Sequence, residues 1–395
     1  MLNIFHLPNL VSPLKDGVFL MFLVLALYQK HSIKRVTNMV FILVCGGTFF
    51  VIYLLLGLFQ GALMETIYYL RVYIYPLIFM MAMYLLRDEI KKSAIRLLHF
   101  VFQLNTLVIL ISIGLYVSFW LDRSFFHQLL GSEASYVWYI DKAYILRLGL
   151  PFAGPNIMGV YCAGISFLTI WLMRESKVES MKFLIFTFAI TSLALFLTFS
   201  RSSILLLLVA LIFYFADHLR KNIGFFLSSL ITGMVFLVVI VIIINSITDD
   251  ALTLWLLSNL QLNDSSIEGH VRTFPTFVRN IDDFFLFGYD NGTVGPKAYA
   301  VGNTFAEIKN SENSILVVLY DMGLFLGTFY FISFFLTMLF TNFHRIAKYL
   351  IIGLFINFQF LPNIYEYEAI MTLVLINMII VSVYEIEKSR VLENG

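Results

Sequence analysis

The chain has 395 residues, of which 60% are hydrophobic and 13% charged, with a mean hydropathy of +0.88 and a net charge of +1. A soluble domain is about one quarter charged, so this composition excludes an ordinary soluble fold. The balanced charge excludes an electrostatic attraction to nucleic acid. Apolar runs of about 17–25 residues recur from end to end, the mark of an all-α polytopic membrane protein. Residues 1–395 read as a single integral membrane domain. Cys45 and Cys162 both lie in apolar runs and read as small buried hydrophobes, not as a disulfide. No basic segment precedes the first apolar run, so no cleaved signal peptide is expected.

Hydropathy and length predict about eleven spans (10–12). In chain order they are 17–29, 36–58, 67–86, 97–120, 156–173, 183–199, 202–216, 223–245, 313–340, 347–362 and 368–384. The sixth and seventh come from one apolar run, 183–216, whose only charge is Arg201. As a single helix its 34 residues would reach about 51 Å, against a hydrocarbon core of about 30 Å. The run therefore reads as a helical hairpin with Ser200-Arg201-Ser202 at its tip. The serines are expected to satisfy free backbone groups of the turn.

Alternate connections divide the basic residues unequally. One set holds Lys30, Lys34, Arg35, Arg87, Lys91, Lys92, Arg96, Arg174, Lys177, Lys182, Arg220, Lys221, Arg345, Lys348, Lys388 and Arg390, which is 16 of the 26. Positive charge in short loops favours the cytoplasm, so this set and the C-terminus are assigned there. The Arg201 tip and two long loops, 121–155 and 246–312, then lie outside. A loop of about 67 residues far exceeds a simple connection and is a candidate for function. Within it Ile267, Val271, Phe274, Val278, Ile281 and Phe285 recur at helical spacing, with Glu268, Arg272 and Arg279 opposite. This predicts an amphipathic helix at the membrane surface, bent or interrupted at Pro275.

The exterior arginines are Arg71, Arg123, Arg147, Arg201, Arg272 and Arg279. Any one of them is accounted for by snorkelling at the interface. As a set they suit phosphate, whose oxygens match the guanidinium fork. Phosphate at the outer surface beside apolar spans points to a lipid-linked pyrophosphate, with a free charged solute as the competing ligand. Asp282-Asp283 could hold a metal, but such pairs more often cap helices or face solvent. Glu312 ends the long loop beside Asn313. It suits either a general base on a sugar hydroxyl or an acid favoured by a helix N-terminus. Asn156, in "PFAGPNIMG", is sufficiently explained by the turn that opens the next helix.

Four features follow in order: Arg147 before "GPNIMG", "TFSRSS" at the hairpin tip, "HVRTFPTFVRNIDDFFLFGYDNG" in the long loop, and "NSENSILVVLYDMGLFLG" opening the next span. The series resembles the bacterial O-antigen polymerase and ligase superfamily, over roughly residues 145–330. The ligases of that superfamily carry a histidine before the asparagine, where this chain has Glu312. The "PLFGxG"-like turn lacks its proline here. The first departure favours a polymerase over a ligase.

The resemblance implies a GT-C-like multi-helix fold and a metal-independent glycosyltransferase without cofactor, in the bacterial inner membrane with its site facing the periplasm. Its donor and acceptor would be undecaprenyl-pyrophosphate-linked oligosaccharides. A chain-length regulator and a flippase of the same pathway would be its partners, alongside membrane lipid. By motif position Arg201 and Arg272 would hold pyrophosphate, with Arg147 and Arg279 assisting. Glu312 would orient or deprotonate the acceptor hydroxyl, and Asn156 and Asn313 would be turn or sugar-contacting residues. Two alternatives stay open: a ligase moving finished polymer to lipid A core, and a flippase for lipid-linked oligosaccharide. Transporters are commonly built from internal repeats, and none relates the halves of this chain.

Overall fold

The computed structural model describes residues 47–59, 63–121, 138–140, 145–149, 154–175, 180–219, 313–341, 345–358 and 367–393, with single positions and short pieces elsewhere, 275, 277–279, 286 and 288 among them. The described chain is nearly all helical. In order it forms α1 (Gly47–Phe59), α2 (Leu63–Leu121), β1 (Trp138–Ile140), β2 (Ile145–Arg147), α3 (Pro155–Glu175), α4 (Met181–Leu197), α5 (Arg201–Leu219), α6 (Ser314–Thr341), α7 (Arg345–Phe358) and α8 (Tyr367–Glu393). Among the described residues four helices are long and apolar enough to cross a membrane: Tyr73–Phe119, Pro155–Glu175, Ser314–Phe335 and Ala369–Ser389. Gly47–Phe59, Met181–Leu197, Arg201–Ala216 and Tyr349–Phe358 are shorter apolar helices. The predicted span 223–245 lies outside the described residues, as does nearly all of 17–29.

Two features depart from the hydropathy reading. First, an all-α chain is expected, yet 138–147 carries a small antiparallel pairing, with Trp138 opposite Arg147 and Ile140 opposite Ile145. This hairpin lies within the predicted loop 121–155. Second, the predicted connection between 86 and 97 is helix, so α2 continues unbroken for 59 residues. At 1.5 Å per residue that is about 88 Å. The segment "RDEIKKSAIR" explains it, since it contains neither Gly nor Pro and consists largely of good helix formers. Lys92 also pairs with Glu89 one turn away, at 2.5 Å. Charge ends an apolar run without ending a helix.

The core is built around α3. This helix buries most of its circumference, including Met158, Cys162, Ala163, Ile165, Phe167, Leu168 and Leu172. Helices α4, α5 and α8 pack against it, and α2 packs on α4, α6 and α8. Cys162 is buried and unbonded, as its apolar context implies, while Cys45 lies outside the described residues.

Candidate active site

The 183–216 run is broken where the length argument requires a break. Helix α4 ends at Leu197 and α5 begins at Arg201. The chain reverses there, because α5 runs alongside α3 in the same direction. Gly159 near the start of α3 abuts Ser200 and Ser203, and Phe167 farther along meets Tyr214 with ring centroids 6.0 Å apart. The two arms of the reversal both pack on α3 and scarcely touch each other. The tip is thus an open one, with α3 set between its arms.

The turn is Thr198-Phe199-Ser200, centred two residues before the Ser200-Arg201-Ser202 tip read from the sequence, and Arg201 is the first helical residue after it. Phe199 adopts φ 51°, in the left-handed region usually left to glycine at a helix C-terminus. Such a backbone costs about 1–3 kcal/mol and persists only where its surroundings over-determine it. Those surroundings are specific. The Phe199 N–H donates to Phe196 O at 2.9 Å, the Thr198 hydroxyl donates to Leu195 O at 2.6 Å, and the Ser200 N–H donates to Thr198 Oγ1 at 3.3 Å. The ring of Phe199 is buried, holding the turn against the core. Thr198 thus does the capping expected of the serines. Ser200 and Ser203 pair their hydroxyls at 2.8 Å, and Ser203 donates to Asn156 O at 3.2 Å.

Arg147 closes the arrangement. It leaves β2 with its Nε donating to Thr198 O at 2.9 Å and a terminal nitrogen donating to Asn156 Oδ1 at 2.9 Å. The next residue repeats the attachment, its Leu148 N–H donating to Leu197 O at 2.8 Å. The last carbonyls of a helix lack intrahelical partners and carry the negative end of its dipole, so a guanidinium there is doubly favoured. One arginine therefore ties the hairpin before α3, the first turn of α3 and the C-terminus of α4. Gly159 permits the closeness, since a Cβ there would lie 2.6 Å from Ser203 Oγ. Arg201 stands exposed on the rim of this assembly.

Of the seven sequence-predicted site residues, Arg147, Asn156 and Arg201 thus come together from two separate motifs. Asn313 opens α6 and accepts the N–H groups of Ile315 and Leu316 on Oδ1, at 2.9 and 3.0 Å, which is a helix cap. Arg272 and Glu312 lie outside the described residues. Arg279 is helical and exposed beside Phe277, which is buried edge-on against Tyr320 of α6 at 5.1 Å. The apolar pattern assigns Val278, not Phe277, to the inner stripe, whereas Val278 is 51% exposed. The docking contact with α6 comes from the residue between the two expected faces, because one aromatic ring reaches a ring on the neighbouring helix.

Sequence reasoning also passed over Asp321. It lies in "YDMG" of α6, is fully buried, and accepts the hydroxyls of both Tyr53 and Tyr73 on Oδ2 at 2.8 Å. An acid inside an otherwise apolar helix was the signal that could have found it.

At the opposite end of α3, Arg174 lies 5.6 Å over the Tyr214 ring and Trp171 meets Tyr384 at 5.6 Å. Nearby on α8, Glu385 receives Arg87 at 2.5 Å and Lys91 at 2.9 Å from α2. From Pro155 to Glu175 is about 30 Å of helix, the thickness of a hydrocarbon core. The two charge sets read from alternate loops thus separate along α3, with Arg87, Lys91 and Arg174 at one end and Arg147 and Arg201 at the other.

Residues 186–332 match the family model described as O-antigen ligase, which places this part of the chain in the O-antigen polymerase and ligase superfamily. The match runs from α4 into α6 and contains Arg201, Arg272, Arg279, Glu312, Asn313 and Asp321. Arg147 and Asn156 precede it. No curated protein and no solved structure matches the chain. Its apolar helices of spanning length make the chain a membrane protein, similar over residues 186–332 to this superfamily.

Proposed function

We propose that the protein is a repeat-unit polysaccharide polymerase, a metal-independent membrane glycosyltransferase of GT-C-like fold acting at the periplasmic face of the bacterial inner membrane. The observation that carries this reading is the Arg147–Asn156–Thr198 assembly with the exposed Arg201 on its rim. It supports a rigid seat for a cation facing outward, at one end of a membrane-length helix. The substrate is a growing glycan on undecaprenyl pyrophosphate. The acceptor is the terminal sugar of a second lipid-linked repeat unit. In the transfer, the acceptor oxygen forms a bond to the donor's anomeric carbon as the bond from that carbon to the pyrophosphate breaks. Arg201 and Arg272 stabilise the charge gathering on the leaving pyrophosphate. Arg279 assists them, and Arg147 and Asn156 hold the turn that aims Arg201. Glu312 takes the acceptor's proton, and Asn313 sets the start of α6 beside it. The chain-length regulator and flippase of the pathway are its partners.

The family match admits a second reading equally, an O-antigen ligase that transfers finished polymer to lipid A core. Glu312, where ligases carry a histidine, favours the polymerase. Replacing Arg201 or Arg272 with Ala and resolving surface lipopolysaccharide by gel separates the readings. A polymerase leaves single repeats on the core. A ligase leaves the core bare, with polymer on the carrier lipid, and a flippase traps single lipid-linked repeats on the cytoplasmic side. A normal ladder in both variants rejects the site.

A further inference from the structure

Asp321 sits seven residues into α6, inside a cluster of aromatic rings drawn from three helices. Phe49 stacks on Tyr53 at 5.7 Å, Tyr73 meets Tyr53 edge-on at 5.7 Å, and Tyr330 lies 5.3 Å from Tyr73. The hydroxyls of Tyr53 and Tyr73 converge on one carboxylate oxygen, from α1 and α2 respectively. An acid at such a place is expensive unless hydrogen bonds hold it, and each hydroxyl would in turn be expensive to bury without an acceptor.

The main chain of the same residue has a second task. Gly323, two residues on, breaks the helical backbone of α6 with φ 81° and ψ 163°. Leu286 and Gly288 of "FLFGYDNG" lie against this break, with Gly288 at φ 76°. The two backbones touch so closely that no side chain fits between them. A Cβ on Gly288 would overlap the Asp321 carbonyl oxygen, and one on Gly323 would overlap that of Leu286. Two glycine motifs far apart in sequence therefore form one joint, and its seat is the peptide of Asp321. Arg279 lies nine residues before Gly288, and Phe277 docks on Tyr320, the residue before Asp321.

We infer that Asp321 is a positioning residue for glycosyl transfer. Its carboxylate, pinned by Tyr53 and Tyr73, holds the α6 break in the shape that receives Leu286 and Gly288, and so holds Phe277 and its neighbour Arg279 at α6. This rests on the polymerase reading only for what the positioned segment does. What the pinning requires is an acceptor for two hydroxyls, which a neutral amide oxygen also supplies.

The test uses the full-length protein in membranes, with Cys45 and Cys162 changed to Ala and Phe277→Cys as a reporter. Labelling by a water-soluble maleimide reports undocking of the segment and is independent of activity. Asp321→Leu should raise the labelling rate about tenfold and Asp321→Asn by less than about twofold, because only the former removes the acceptor. Tyr53→Phe/Tyr73→Phe keeps the rings and the acid, should reproduce the leucine phenotype, and decides the matter if Asp321→Leu fails to accumulate. In the otherwise unaltered chain, ladder formation should be lost with Asp321→Leu and rescued with Asp321→Asn. Equal labelling in all variants overturns the inference, and so does an asparagine variant that behaves as leucine. Undocking with a normal ladder overturns the positioning role while leaving the polymerase reading to the Arg201 variants.

Discussion

The two ends of α3 hold arginines in opposite ways. At the Pro155 end, Arg147 donates to a helix carbonyl and an amide oxygen, and the residues around it form a continuous hydrogen-bonded turn. At the Glu175 end, Arg174 rests on an aromatic ring, and Arg87 and Lys91 share the carboxylate of Glu385. The first arrangement holds backbone in an unfavourable conformation at Phe199. The second neutralises charge between helices whose backbones need no help. Rigid hydrogen bonding to main chain is what aims a neighbouring side chain, and Arg201 is that neighbour. Half-exposed ion pairs fasten helices weakly and aim nothing.

This contrast can be broken by substitution. The largest effect is expected for Arg201→Ala, with turnover of lipid-linked repeat units falling about 10²–10³-fold, the range for losing a group that stabilises developing charge. Because Arg201 is exposed, thermal stability in detergent should stay within about 0.5 kcal/mol of the parent. Arg147→Ala should lower that stability by about 2–3 kcal/mol and abolish the ladder as well, since two charge-assisted bonds, one to the turn and one to Asn156 on α3, are lost. A stable, active Arg147→Ala variant would mean the turn holds itself. Asn156→Ala should cost about 1 kcal/mol by the same thermal measurement, with Asn156→Asp close to the parent because it keeps an acceptor for Arg147. The smallest change belongs to the other end. Glu385→Gln should shift stability by less than about 1 kcal/mol and leave the ladder intact, because Glu385 is 32% exposed and its pairs are screened. A lost ladder there would dissolve the distinction between the two ends.

Much of this was legible beforehand. The break in 183–216 followed from the length of a run with a single charge, because as one helix its apolar surface would extend out of the bilayer into water. The separation of Arg87, Lys91 and Arg174 from Arg147 and Arg201 followed from counting charges in alternate connections. The position of the turn's strain did not, since Phe199 carries no glycine signature and is held left-handed by its buried ring and by Thr198. Nor did the continuity of α2, because hydropathy marks where apolar surface stops and says nothing of where helical hydrogen bonding stops. Phe277 was assigned to neither face of its helix, since periodicity describes a helix in isolation and not the ring of Tyr320 waiting beside it.

By itself, then, the sequence determined that the chain is a helical membrane protein, which helices reverse, and which residue types carry its charge, for these depend on length, composition and order. Only the tertiary structure decided what each polar group is joined to. Arg147 meets Thr198 across 51 residues, and Asp321 meets Tyr53 across 268. The reason is physical: in an apolar interior a buried donor or acceptor must find its partner wherever the packing brings one within reach, and packing is a property of the whole bundle and not of any segment.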